Sequence, residues 1–200
     1  MQYLVGVLMA LTVILLVWHR YGMERVVELS AGSGIPYQVL NGAKDHGASI
    51  VRHRVEDGAL KVDCTLVRQF EWPYCSVRFY LGEGAKGMDM SGFDTLTLDI
   101  RHTGPGPRKL RLYLRNFDAG VSSVTELNSQ RVNEIEFEVP EKGELVVPYD
   151  LLRTATWWVK LRNRSLMETR VRMDNVTTVE LSSGVDNELG LHQIEVRSIK

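Results

Sequence analysis

Five separate runs of this chain alternate apolar and polar residues with a period of two, and that pattern leaves little freedom in the choice of fold. Leu60, Val62, Cys64 and Leu66 alternate with Lys61, Asp63 and Thr65, and Cys75, Val77, Phe79 and Leu81 with Ser76, Arg78 and Tyr80. Leu96, Leu98 and Ile100 alternate with Thr97, Asp99 and Arg101, and Leu110, Leu112 and Leu114 with Arg111, Tyr113 and Arg115. Ile135, Phe137 and Val139 alternate with Glu134, Glu136 and Glu138. Successive side chains of a strand point to opposite faces, so each run is a half-buried antiparallel strand. Turn clusters at 56–58, 82–84 and 104–107 separate them. Further strands are expected near 36–40, 49–55, 145–147, 178–181 and 190–199, with one helical turn over 150–153. No long amphipathic helix interrupts residues 35–200, so the chain is predicted to be all-β there, a two-sheet antiparallel jelly-roll sandwich.

The N-terminus follows another rule. Tyr3 to Trp18 carries no charge, and its ten Leu, Ile and Val residues favour insertion into a bilayer by about 3–6 kcal/mol. The run is slightly short of the ~20 residues of a full crossing. Tyr3, Trp18 and Tyr21 as interfacial aromatics, and Arg20 reaching out to the headgroups, close that gap. No basic residue precedes the run and no small-residue cleavage site follows it, which argues against a removed signal peptide. Residues 1–21 are therefore expected to be a retained transmembrane helix, touching the membrane through residues 3–18. Residues 22–34, ending in Ser30-Ala31-Gly32-Ser33-Gly34, are expected to be a flexible linker, and residues 35–200 a ligand-binding domain. Arg20 and Arg25 after the helix pull weakly toward a cytoplasmic domain.

Charge excludes one class of partner. Lys and Arg number 24 against 25 Asp and Glu, without the basic excess that nucleic acid demands. Cys64 and Cys75 share the apolar phase of consecutive strands. They are either cross-strand neighbours within disulfide range, which would require an oxidising compartment, or two reduced core thiols. Gly82-x-Gly84-x-x-Gly87 mimics a dinucleotide fingerprint, but a strand rather than a helix follows it, so it reads as a loop. His19, His46, His53, His102 and His192 lack metal-ligand spacing, and His53 falls in the apolar phase of Val51 and Val55. Asp89, Asp94 and Asp118 read as turn carboxylates rather than a calcium site. No cofactor, metal or catalytic motif is called for.

The candidate binding residues lie on the polar phase. Asp99, Arg101, Arg111, Tyr113 and Arg115 point outward, and guanidinium forks beside a tyrosine and carboxylates can hold hydroxyls and anions. The alternative is cross-strand ion pairing on a wet face. Between 153 and 172, Arg153, Lys160, Arg162, Arg164, Arg170 and Arg172 stand against Glu168 alone. Trp157 and Trp158, in extended backbone, would face opposite sides, one in the core and one offering a stacking platform.

Ser91-Gly92-Phe93-Asp94-Thr95-Leu96, Leu114-Arg115-Asn116-Phe117, Arg131-Val132-Asn133-Glu134-Ile135-Glu136-Phe137, Trp157-Trp158 and Gly190-Leu191-His192-Gln193-Ile194-Glu195-Val196 carry a resemblance. The pattern resembles galactose-binding-like jelly rolls, shared by carbohydrate-binding modules and the complex I intermediate-associated family. With the apolar N-terminus it is most similar to the periplasmic sensor regions that precede GGDEF domains in membrane-bound bacterial diguanylate cyclases, although the chain holds no GGDEF motif. The resemblance implies a domain on the periplasmic side of the inner membrane that binds a small ligand, a saccharide or small anion, and feeds a cyclase; a homodimer stays open. Two other readings remain: a carbohydrate-active jelly-roll enzyme using carboxylates such as Asp99 and Glu136, and a protein-binding assembly factor.

Overall fold

The structure is a computed structural model that describes residues 2–21, 25–43, 46–69, 73–163, 170–183 and 187–200, and only the backbone of residues 2 and 19–21. The period-two runs become strands that pack in two layers. The elements, in chain order, are α1 (Gln2–Tyr21), β1 (Tyr37–Leu40), β2 (Ile50–Glu56), β3 (Ala59–Leu66), β4 (Ser76–Tyr80) and β5 (Thr95–Thr103). They continue with β6 (Lys109–Asn116), β7 (Arg131–Glu138), β8 (Leu145–Pro148), β9 (Arg153–Thr154), α2 (Thr156–Leu161), β10 (Val176–Ser183) and β11 (Gly190–Ile199). A six-stranded sheet runs β1-β4-β10-β6-β7-β9 and a five-stranded sheet β2-β3-β11-β5-β8, with every pairing antiparallel. This is the architecture of a jelly-roll sandwich.

One phase of each sheet meets in the core. Val77, Phe79, Leu110, Leu112, Leu114, Val179 and Leu181 face Leu60, Val62, Leu96, Leu98, Ile100, Ile194 and Val196, all at most 3% exposed. Two elements escape the sequence pattern because they are too short to repeat it: the two residues of β9 and the six of α2. The helical turn expected over 150–153 is a 3₁₀ turn at Tyr149–Leu151.

Alternation gives the phase of a strand but not the sheet it joins, and this corrects the cysteine pairing. Cys64 and Cys75 are disulfide-bonded with Cα atoms 6.1 Å apart, yet Cys64 lies on β3 of one sheet and Cys75 directly precedes β4 of the other. They are not neighbours across one ladder; the bond staples the two layers together. His53 is likewise corrected. It is exposed, because β2 is an edge strand whose inner phase overhangs the rim, leaving Val55 55% exposed.

The expected linker is partly folded. Leu29 is 3% exposed and exchanges two backbone hydrogen bonds with Ile199, at 2.8 and 2.9 Å, so the domain begins before residue 35. Among the described residues no helix is long and apolar enough to cross a membrane. Within α1, residues 3–18 are exposed on every face, with Leu4 at 65%, Leu8 at 57%, Leu11 at 50% and Leu15 at 65%. The side chains of Arg20 and Tyr21, expected at the membrane interface, lie outside the described residues, as does that of His19.

Candidate functional site

Leu110, Leu112 and Leu114 of β6 enter the core, which turns Arg111, Tyr113 and Arg115 onto the outer face of the six-stranded sheet. Register then assigns their neighbours. Tyr113 sits between Glu180 of β10 and Glu134 of β7, with Arg78 of β4 beyond Glu180 and Arg153 of β9 beyond Glu134. Arg111 sits between Ser182 and Glu136, and Arg115 between Thr178 and Val132. The face is polar but not wet: Thr178, Glu180 and Ser182 are at most 5% exposed, and Arg115 and Glu134 are at 6% and 5%.

Two ionic groups organise it. Arg111 donates to Glu136 at 2.6 Å and to the Tyr113 hydroxyl at 3.3 Å. Glu180 accepts from Arg78 Nε at 2.9 Å and from Ser76 Oγ at 2.7 Å, with Arg78 Nη2 at 2.8 Å. Burial works against the charged Glu180, but Arg115 and Arg78 outweigh it and hold the carboxyl below its ordinary range. Glu134 behaves oppositely: burial raises it, against the pull of Arg111 and Arg153, and its Oε2 has no partner. Burial also raises the Tyr113 hydroxyl and lowers Arg115.

The segment after β9 folds over one end of this face, as a helix rather than extended chain. In α2 the two tryptophans lie about 100° apart instead of on opposite sides. Trp158 is fully buried against Val132, Ala155 and Val159, with the Arg131 guanidinium 5.3 Å from its ring centre. Trp157 is half-buried and, like Tyr113, packs against that cluster. Arg162, just past the helix, donates to Glu126 at 2.6 Å, which ties α2 to the loop between β6 and β7. Arg164 and Glu168, counted in the basic run, lie outside the described residues.

The structure thus brings Arg111, Tyr113, Arg115, Trp157, Trp158 and Arg162 together and separates Asp99 and Arg101 from them. Those two lie on β5, on the outer face of the five-stranded sheet, with Arg101 opposite Glu195. Stacked sheets are ~10 Å apart before the outward side chains are added, so Asp99 and Glu136 exceed the carboxylate spacing of a glycosidase pair. Their joint catalytic role is excluded. Sequence reading set Glu134 beside these residues but did not name Arg78 and Glu180 as site residues; their signal was a charged residue within an expected strand.

The remaining motifs are structural. In the Gly82–Gly87 loop a Cβ on Gly82 would come within 1.9 Å of the Lys86 carbonyl oxygen, and one on Gly87 within 2.3 Å of that of Val176. These glycines permit close backbone approach in a turn, not a phosphate cradle. Asp118 is buried and receives Arg131 Nε at 2.8 Å and Asn116 Nδ2 at 2.8 Å. Among the described residues no His, Cys, Asp and Glu cluster fit for a metal occurs.

No family model matches the sequence, and no curated protein matches it. Solved structures do match the fold. The family 11 carbohydrate-binding module of the cellulosomal cellulase Lic26A-Cel5E of Clostridium thermocellum is similar with a TM-score of 0.58 at 11% identity, over 88% of this chain and 95% of that one. A family 11 module from Clostridium thermocellum in complex with a β-1,3-1,4-mixed-linked tetrasaccharide matches with a TM-score of 0.58 at 13% identity, over 88% and 96%. The agarase AgWH50C matches with a TM-score of 0.51 at 10% identity, over 86% of this chain and 24% of that one. The chain has the jelly-roll fold of carbohydrate-binding modules.

Proposed function

We propose that this domain binds a saccharide on the outer face of the six-stranded sheet, at the end covered by α2. The observation that carries the reading is Glu134: a carboxyl only 5% exposed, with Oε2 unpartnered, beside the half-buried Trp157 and Tyr113. A sugar ring offers an apolar C–H face to an indole and hydroxyl donors to a carboxylate, and Arg111 supplies donors for ring and hydroxyl oxygens. The fold shared with a module in complex with a tetrasaccharide supports the same reading. The test is calorimetric titration of the full chain in detergent with a panel of neutral and acidic tetrasaccharides. Glu134→Gln should weaken binding roughly ten- to a hundredfold, the loss of one charge-assisted hydrogen bond of about 1.5–3 kcal/mol. Trp157→Ala should weaken it as well while leaving the melting temperature nearly unchanged. No binding by any member of the panel would sink the proposal.

The domain is held at the membrane by α1 and faces an oxidising compartment. A helix apolar on all sides is stable inside a protein core or a bilayer, and the side chains of residues 3–18 are exposed. A staple such as Cys64–Cys75 persists where thiols are oxidised, which favours the periplasmic side. The antiparallel contact of Leu29 with Ile199 sets the segment that follows α1 beside β11. That geometry suits the input module of a membrane signalling protein, and the sequence likeness extends it to a diguanylate cyclase.

A further inference from the structure

On the same face, two guanidinium groups share one carboxylate. Arg78 and Ser76 occupy both oxygens of Glu180 at 2.7–2.9 Å. Arg115 is left with long contacts, 3.5 Å to Glu180 and 3.4 Å to the Asn128 side-chain oxygen, and its Nε has no partner. Thr178, opposite Arg115 across the ladder and 1% exposed, also leaves its hydroxyl oxygen unpartnered. A guanidinium this deeply buried and this poorly compensated is costly, and a second anion beside it would relieve that cost. Asn128 is exposed, lies on the β6–β7 loop and holds only a weak contact, so its amide oxygen stands where an oxyanion could bind.

We infer that the Arg78–Arg115 pair is a subsite for an anionic group on the bound saccharide, a carboxylate or a sulfate ester, with Asn128 yielding its position to that group. The inference rests on the saccharide reading above and narrows it to acidic glycans. Spacing allows one ligand to reach both places. Arg115 and Tyr113 are two residues apart on one strand, about 7 Å, and Glu134 is on the adjoining strand about 5 Å from Tyr113. The ring would lie at Trp157 and Glu134 while its acidic substituent, or that of the next residue, reaches the arginines.

The experiment uses the full chain in detergent and matched probe pairs: tetragalacturonate against its fully methyl-esterified form, and a sulfated carrageenan tetrasaccharide against its desulfated form. The acidic member of at least one pair should bind tenfold or more tightly, with an advantage that shrinks as salt rises. Arg78→Gln, at a partly exposed position, should shrink that advantage at least severalfold. Asn128→Asp, which places a fixed anion against Arg115, should raise the melting temperature and abolish the preference. Equal binding within both pairs, or a preference that survives Asn128→Asp, overturns the acidic subsite while the saccharide reading stands. Binding by none of the four probes overturns both.

Discussion

His102 and His192 form a buried pair on the inner phase of the five-stranded sheet, 4% and 0% exposed, with His102 Nε2 3.1 Å from His192 Nδ1. His192 Nε2 lies 2.7 Å from the Glu188 carbonyl oxygen, so it carries the proton given to that oxygen. His192 Nδ1 is then the acceptor and His102 Nε2–H the donor, an arrangement that requires the His192 ring to be neutral. Burial, and then the neighbouring His192, pull His102 down to about 4. A folded-state value below the ordinary 6.5 means that the unfolded chain takes up the proton first. The stability is present above pH 6.5 and is lost as pH falls through about 4. A shift of that size corresponds to about 3 kcal/mol. His102→Gln keeps an N–H for His192 Nδ1 but cannot titrate, so its melting temperature should fall much less than wild type between pH 6.5 and 4. Parallel curves for the two proteins would refute the assignment. Glu180 overlaps only the acid end of this window, because its lowered carboxyl begins to lose its contribution as pH falls through the ordinary carboxylate range, and it acts equally in both proteins compared. Sequence reading set neither histidine in the core, although His102 continues the phase of Leu98 and Ile100, and His192 shares that of Ile194 and Val196. Their contact was not legible, since it depends on β5 and β11 being neighbours across 90 residues.

At the scale of elements, the strands with several alternating residues were readable to within a few residues, whereas α2 and β9 were not. A helix of six residues offers less than two turns of periodicity, and alone in water it would not form. Its largest anchor is Trp158, fully buried against Val132 and Ala155. Trp158→Ala should therefore cost about 3–5 kcal/mol. It should also release α2 from the sheet, so that amide exchange rises over 156–161 and saccharide binding fails with it. Trp157→Ala, at the half-buried neighbour, should leave exchange unchanged. Equal protection of α2 in both variants would show that the helix is held by something other than the indole. The outward charges expose the matching limit at this level. Alternation assigned Arg115 and Glu134 to the outer phase correctly, but an outer phase is not the same as water, and only register and the α2 cover reveal that these charges are buried.

The whole molecule is two layers held by a core that draws on both sheets and by one covalent staple. Cys64–Cys75 closes a short loop, with a sequence separation of 11, and such a crosslink contributes about 3 kcal/mol through the unfolded state. The layered architecture was legible because many strands, each with one apolar face, and no long amphipathic helix to cover them leave a second sheet as the cover. The assignment of strands to layers was not, because the Val67–Tyr74 connection can as easily turn back on its own sheet as cross to the other. The start of the domain was misread for a similar reason: Ser30 to Gly34 has the composition of a linker, but Leu29 before it is an inner-phase residue whose partner lies at Ile199. This has a direct consequence for separating anchor from domain. A chain beginning at Arg25 keeps the Leu29–Ile199 ladder and the core methyls of Leu29, whereas one beginning at Ile35 loses both. The first should leave the membrane fraction, stay monodisperse in aqueous buffer and melt close to the full chain. The second should leave the membrane as well but be destabilised by about 2–5 kcal/mol, the cost of removing a buried leucine from a packed site. Alkaline carbonate extraction reports the anchor and thermal melting reports the domain boundary. Retention of the Arg25 chain in washed membranes would end the anchoring role of α1, and equal melting of the two chains would return residues 25–34 to the linker.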